Sequence, residues 1–305
     1  MRQMVSQWPA VMAARQGDEA IVRYIADGGA TRPVSAIAAS PAENGRFFYN
    51  ADLNGFNFVK GQGRLETFLA DLLRARTMAD APGMAVQSEP IGELLPMFHR
   101  DNRLPVLPEV EPRIWIGNRI RVAPHFDIKE NIACCVAGKR RFILFPPDQS
   151  ANLYPGPFEL TPAGTPVSMV DLAAPDLDAY PRFKQAMAAA LEVTLEPGDA
   201  IYIPYCWWHG VESLAPVSIL VNYWWTQDHP AGIGGPYDAL LHALLSIRHL
   251  PPAQRQVWRT LFDYYIFESA GDPGEHLPQG ARGVLGPASP ELFDHIRTIL
   301  RSTLR

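Results

Sequence analysis

Two blocks of short strand-like runs, spanning residues 113–146 and 192–225, constrain the fold more than any other feature of this sequence. In the first block Ile114-Trp115-Ile116, Ile120 to Val122, Ile132 to Val136 and Phe142 to Phe145 are punctuated by Gly117-Asn118 and Gly138. In the second, Glu192 to Leu195, Ala200 to Ile203 and Ser218 to Trp225 are apolar or alternating. Between the blocks runs a long Pro-rich excursion, from 147 to about 185. Strands follow one another without a helix in each connection, so the pattern excludes a βαβ sheet. It predicts a mainly β fold in which two sheets close on each other, a double-stranded β-helix or jelly roll.

Helical periodicity flanks the blocks. A helix is expected over about 10–27 from Val11, Ala14, Ile21, Tyr24 and Ile25, and a second from the stripe Leu65, Phe68, Leu69, Leu72, Leu73. Ile91 to Phe98 also reads as helical. After Gly232-Ile233-Gly234-Gly235-Pro236 the character changes to apolar helices, Tyr237 to Leu250 and Ala253 to Phe267, broken by Pro251-Pro252. Ser289-Pro290 supplies the N-cap and first position of a last helix carrying Leu292, Phe293, Ile296, Ile299, Leu300 and Leu304. The expected organisation is a barrel with N-terminal helices over 1–231 and a helical appendage over 232–305.

Composition narrows the partners. A net charge of −5 leaves no basic footprint for nucleic acid. No apolar run reaches the ~18 residues of a membrane span, and residues 1–17 lack the apolar core of a signal peptide. Three cysteines, two of them adjacent (Cys134, Cys135) and one beside Trp207 (Cys206), suit buried free thiols rather than a disulfide framework. A soluble protein of a reducing compartment, the cytoplasm, is expected.

Within the strand blocks lie His125, Asp127 and, 84 residues on, His209. His-x-Asp on a strand puts both side chains on one face, because strand side chains alternate with period two. A neighbouring strand then needs to add only one His to complete two imidazoles and a carboxylate on one side of a metal, the facial triad of non-haem Fe(II) oxygenases. A second His-x-Asp, at His99 and Asp101, precedes a Pro-rich turn and is expected to be a surface turn. His242, His249 and His295 fall on helices, while His229, after Asp228, and His276 fall in turns. Lys60-Gly61-Gln62-Gly63-Arg64 lacks the spacing of a phosphate loop and reads as a surface turn.

The runs that carry these ligands resemble a known family. His125 to Asn131, Gly138-Lys139-Arg140-Arg141 through Phe145 to Gln149, Leu153 to Pro155, Pro197 to Pro204, Trp207 to Ser213 and Val221 to Trp224 are similar to JmjC/cupin-like oxygenases, the asparaginyl hydroxylase branch in particular. The resemblance is dense from about 113 to 226. It implies Fe(II) held by His125, Asp127 and His209, 2-oxoglutarate as co-substrate, and hydroxylation of a C–H bond. It also implies co-substrate contacts. Arg140 stands where the family has a lysine for the far carboxylate, Asn131, Asn222 and Trp224 match pocket positions, and Lys139 is expected on the opposite face. Val122 replaces a family threonine, and the stretch Gly83 to Ser88 lacks a family tyrosine, whose place Tyr202 or Tyr49 is expected to take. Gln87 is expected to face the substrate channel.

The resemblance further implies a homodimer through the C-terminal helices, which are too apolar to be left in water. The leading expectation is an Fe(II)- and 2-oxoglutarate-dependent dioxygenase acting on a protein side chain, an amino acid or a small metabolite. A metal-dependent cupin enzyme that does not use 2-oxoglutarate and a silent dimeric cupin binding module are the alternatives.

Overall fold

The computed structural model describes residues 1–227, 230 and 232–303; Asp228, His229 and Leu304, singled out above, lie outside the described residues. The described chain forms two compact units, Met1–Thr226 and Gln227–Arg305. Twelve strands in the first unit build two facing sheets, the expected jelly roll. They are β1 Val34–Ala39, β2 Arg46–Phe47, β3 Phe58–Gly63, β4 Gly83–Pro90, β5 Pro112–Gly117, β6 Arg121–Phe126, β7 Glu130–Ala137, β8 Arg140–Phe145, β9 Leu191–Leu195, β10 Ala200–Ile203, β11 Trp208–Ser213 and β12 Ser218–Trp225. The major sheet has the order β10-β7-β12-β5-β4-β1-β3 and the minor sheet β2-β6-β11-β8-β9.

Helices cover the outer face of the major sheet: α1 Pro9–Gln16, α2 Asp18–Asp27, α3 Leu65–Ala75, α4 Ile91–Leu94 and α5 Pro96–Asp101. Val11, Ile21, Ile25, Leu69 and Leu72 pack with Ile114, Ile132, Cys134, Ile219 and Val221 in one core. The alternate residues of β7, Ala133 and Cys135, join a second core between the sheets with Phe142 and Leu220. Coverage on both faces explains why β7 reads as an unbroken apolar run instead of alternating. The Pro-rich excursion and its helix α6, Phe183–Ala188, seal the outer face of the minor sheet, with Leu153, Val170 and Phe183 against Ile143, Phe145 and Trp208. The inner faces of both sheets are thereby left for a site.

Three expectations need correction. The first helix is two, because Gly17 at φ 127° takes a conformation closed to other residues. His99 and Asp101 end α5 rather than forming a turn. Lys60 to Gly63 belong to β3, the outermost strand of the major sheet, where pairing with β1 overrides the local turn signal of two glycines.

The second unit holds α7 Pro236–Ser246, α8 Pro252–Tyr265 and α9 Pro290–Thr303. The Ser289 side chain accepts from the Leu292 amide at 3.2 Å, the expected N-cap. No described helix is long and apolar enough to cross a membrane.

Candidate metal and co-substrate site

His125 on β6 and His209 on β11 are direct register partners, so their side chains leave the minor sheet on the same face. The strands meet through a bulge: Ala123 and Pro124 together oppose Gly210. A bulge is where a sheet tolerates a proline, which has no amide hydrogen to give the ladder. Asp127 lies one residue beyond the end of β6, a small departure from the expected strand position. Ligand atoms of His125, Asp127 and His209 all lie within 4.8 Å of one another, with His209 Nε2 3.6 Å from Asp127 Oδ2.

The backbone fixes which nitrogen each imidazole offers. His125 Nδ1 lies 3.0 Å from the Ala123 carbonyl and His209 Nδ1 lies 3.1 Å from the Trp207 carbonyl. A carbonyl only accepts, so each Nδ1 carries the proton and each Nε2 presents its lone pair. Burial, and then the neighbouring His125, hold His209 well below the ordinary imidazole range, keeping it neutral as a ligand must be.

Around the carboxylate runs a polar relay from the major sheet. Trp224 Nε1 donates to Asp127 Oδ2 at 3.1 Å and Asn131 Nδ2 to the same oxygen at 3.4 Å. Asn222 Nδ2 donates to Asn131 Oδ1 at 3.4 Å, and Trp115 Nε1 to Asn222 Oδ1 at 2.8 Å. Asn131, Asn222, Trp224 and Trp115 are inward-facing, and all of them line one cavity of about 340 Å³ with the triad.

Arg140 lines the same cavity from β8. It is 5% exposed, donates through Nε to Ser218 Oγ at 2.9 Å, and forms no ion pair among the described residues. Burial pulls it down to about 10. A buried guanidinium with no protein counter-ion is costly unless a ligand supplies one. Its neighbours face away, as period two requires: Lys139 pairs with Glu196 at 2.7 Å and Arg141 with Glu212 at 2.5 Å.

Val122 and Gln87 line the cavity, as expected. Tyr202 does not. It is 44% exposed, its hydroxyl donates to Glu130 at 2.5 Å, and it stacks on Trp225. Ile203, one residue on, takes the inward position, so strand parity excludes Tyr202 from the co-substrate pocket. Tyr49 is likewise elsewhere, buried with Phe48, Ala123 and Val167. Lys60, Ser35, Ser88, Pro162 and Ala163 also line the cavity. Sequence reasoning missed them because they come from segments distant in the chain that carry no motif.

The donor set fits a divalent first-row metal: two neutral imidazoles and one carboxylate on one side, with open positions left. Arg140 is a buried cation of the kind that a ligand carboxylate can meet.

The chain is similar to several known proteins. The chain is 31% identical over 151 residues to the lysine-specific demethylase JMJ31 of Arabidopsis thaliana, which covers 48% of this chain and 27% of that protein. It is 34% identical over 151 residues to human HSPB1-associated protein 1, covering 48% and 30%. The chain thus spans less than a third of the length of these relatives. Among solved structures, the ribosomal oxygenase YcfD of Escherichia coli, in complex with cobalt and 2-oxoglutarate, aligns over 93% of this chain and 58% of that one, at 14% identity and a TM-score of 0.38. The cupin-like domain model matches residues 1–230, three quarters of the sequence, and the chain belongs to that family.

Proposed function

We propose that this protein is an Fe(II)- and 2-oxoglutarate-dependent dioxygenase that hydroxylates a C–H bond of a protein side chain, an amino acid or a small metabolite. One observation carries the reading: a two-His, one-carboxylate cluster shares a cavity with a buried arginine that no carboxylate among the described residues neutralises. Fe(II) with 2-oxoglutarate and O₂ supplies the oxidising chemistry. The chain's own residues prepare the site for it. The Ala123 and Trp207 carbonyls orient the two imidazoles, and Trp224 and Asn131 hold Asp127 Oδ2. Arg140 offers the planar fork that pairs with a carboxylate. Ile120, Phe142, Ile203 and Leu220 add an apolar stretch of wall, which limits water at the reacting centre.

Anaerobic addition of Fe(II) and 2-oxoglutarate tests the reading. A metal-to-ligand charge-transfer band in the visible range, and succinate release once O₂ is admitted, are expected. If neither is seen, the reading fails. A cupin metalloenzyme that does without 2-oxoglutarate is favoured by Val122, which offers no hydroxyl to the co-substrate; metal binding without the band identifies that case.

A homodimer through the C-terminal helices is also proposed. None of α7, α8 and α9 contains a buried residue, and Leu245, Val257, Trp258, Ile266 and Phe267 are exposed. Light scattering on the eluting protein is expected to give twice the chain mass. A monomer at ~10 µM would contradict the proposal, because an interface of ordinary size holds together well below that concentration. Three free cysteines support a reducing compartment, the cytoplasm.

A further inference from the structure

A second cation, the exposed Lys60, borders the cavity, and the proposed reaction does not use it. Lys60 lies on β3, opposite Ile37 of β1. Ile37 packs inward with Phe47, Ala85 and Ile120, so Lys60 is on the inward face and lines the cavity at the outermost strand of the sheet. It has no ion pair among the described residues. Glu89, the acid of the neighbouring β4, is taken up elsewhere: it pairs with Arg32 at 2.8 Å and accepts from the Ser35 amide at 2.8 Å. Apart from Asp127, no acidic residue among the described residues lines the cavity.

Charge balance gives Lys60 its meaning, and the inference rests on the dioxygenase reading above. The dication is met by Asp127 and the near carboxylate of 2-oxoglutarate, and Arg140 is met by the far carboxylate. These five groups are neutral together. The charge of Lys60 is left over, beside Ser35 and Gln87, whose hydroxyl and amide groups line the same wall. Ser88 adjoins them at a bulge where Gln87 and Ser88 together oppose Trp115. Ser88 has φ 53°, and Arg113 Nη1 fixes it through its carbonyl at 2.6 Å and its hydroxyl at 3.2 Å. Bulges beside active sites re-aim side chains, and Gln87 and Ser88 of this one both line the cavity that Lys60 borders.

We infer that Lys60 determines substrate specificity: the substrate carries a carboxylate that pairs with Lys60 while its reacting C–H faces the metal. A cationic substrate side chain, including a methylated lysine, is rejected by the same charge. Like-charge juxtaposition at the solvent-exposed edge of the cavity disfavours the wrong substrate.

Three acetylated and amidated pentapeptides, Gly-Gly-X-Gly-Gly with X as Glu, Gln or Lys, test this against Mn(II)-loaded protein, with and without 2-oxoglutarate. The readout is broadening of the peptide protons by Mn(II), which reports weak binding close to the metal. The Glu peptide is expected to bind about fivefold more tightly than the Gln peptide, the upper range for a solvent-accessible ion pair, and the Lys peptide most weakly. Lys60→Gln is expected to remove the Glu preference, and Lys60→Glu to make the Lys peptide the best. Equal binding of the Lys and Glu peptides to the unaltered protein overturns the inference. So does an unchanged order in Lys60→Glu, or no broadening of any peptide. Loss of 2-oxoglutarate affinity in Lys60→Gln, matching that in Arg140→Ala, would reassign Lys60 to the co-substrate and also overturn it. If the unaltered protein fails to bind 2-oxoglutarate, the dioxygenase reading fails. The peptide order on Mn(II)-loaded protein still decides whether Lys60 selects charge.

Discussion

The indole of Trp224 donates a hydrogen bond to Asp127 Oδ2 at 3.1 Å, joining β12 of the major sheet to the single carboxylate of the metal cluster. The same oxygen lies 3.6 Å from His209 Nε2, so the bond aims the carboxylate at the point where the ligands converge. Groups in this position orient a ligand and tune its basicity without touching the metal. Trp224→Phe removes the donor, together with the five-membered ring that carries it. The expected result is Mn(II) affinity about tenfold lower with an unchanged circular dichroism spectrum. Unchanged affinity would show that Asn131 alone positions Asp127.

Arg140 opposes stability to function. Its guanidinium is buried and, among the described residues, has a hydrogen bond to Ser218 and no carboxylate partner. Arg140→Met is expected to raise the stability of the ligand-free protein by about 1–2 kcal/mol in urea unfolding and to abolish the extra stabilisation that 2-oxoglutarate gives the parent. The pH sign follows from burial. With Arg140 lowered to about 10 in the folded state, the penalty is present in full below that value and is relieved only as pH rises beyond it. The stability gain of the variant is therefore expected to be constant from pH 6 to 8. A less stable Arg140→Met protein would mean that the arginine is structural.

How much of this was legible in the sequence depended on whether a residue's surroundings were local. His125 and His209 were legible because each lies in a strand run bounded by turn residues, and antiparallel register needs only those runs to bring them together. Arg140 was singled out through the family resemblance alone, aligned on Gly138 and Phe145; at Gly138 the positive φ of 72° and a Cβ that would approach the Val217 carbonyl to 2.6 Å both require glycine. Tyr202 was misplaced although parity with Ile203 was available to exclude it. Lys60 was not legible. Its neighbourhood Gly61-Gln62-Gly63 signals a turn, and only pairing of β3 with β1 turns it into a strand that faces the cavity. Pro162 and Ala163 were hidden for the same reason, since a Pro-rich excursion has no period from which to read its direction.

Asp199 ties the N-terminal segment to the turn before β10 and gives an acid-sensitive contact away from the metal. Burial works against its charge. Donors from the Gln3 amide at 2.9 Å, the Glu196 amide at 3.1 Å and Arg2 at 2.5 Å nevertheless hold it below the usual carboxylate range. A carboxyl lowered by folding stabilises above its unfolded value, and that contribution is lost as pH falls through the folded one. Asp199→Ala is expected to cost about 2–3 kcal/mol at pH 7, and the gap from the parent to shrink below pH 4. A gap that stays constant down to pH 2 would contradict the assignment.

Gly210 gives the last expectation, which connects packing to the metal. It follows His209 and faces the bulge at Ala123 and Pro124. A Cβ at this position would meet Leu172 Cδ1 at 2.5 Å and Pro124 Cγ at 3.3 Å. The leucine end is flexible, but the proline ring is fixed in the bulged strand that also carries His125. Gly210→Ala should therefore push β11 from β6 and separate the two imidazoles, costing about 1–3 kcal/mol as overpacking does and lowering Mn(II) affinity as well. Adding Leu172→Ala removes the nearer obstacle and is expected to restore part of both losses, a coupling that a double-mutant cycle measures. The Pro124 contact remains, so full recovery is not expected. If metal affinity is normal in Gly210→Ala while stability falls, the strand spacing at the bulge does not set the distance between His125 and His209.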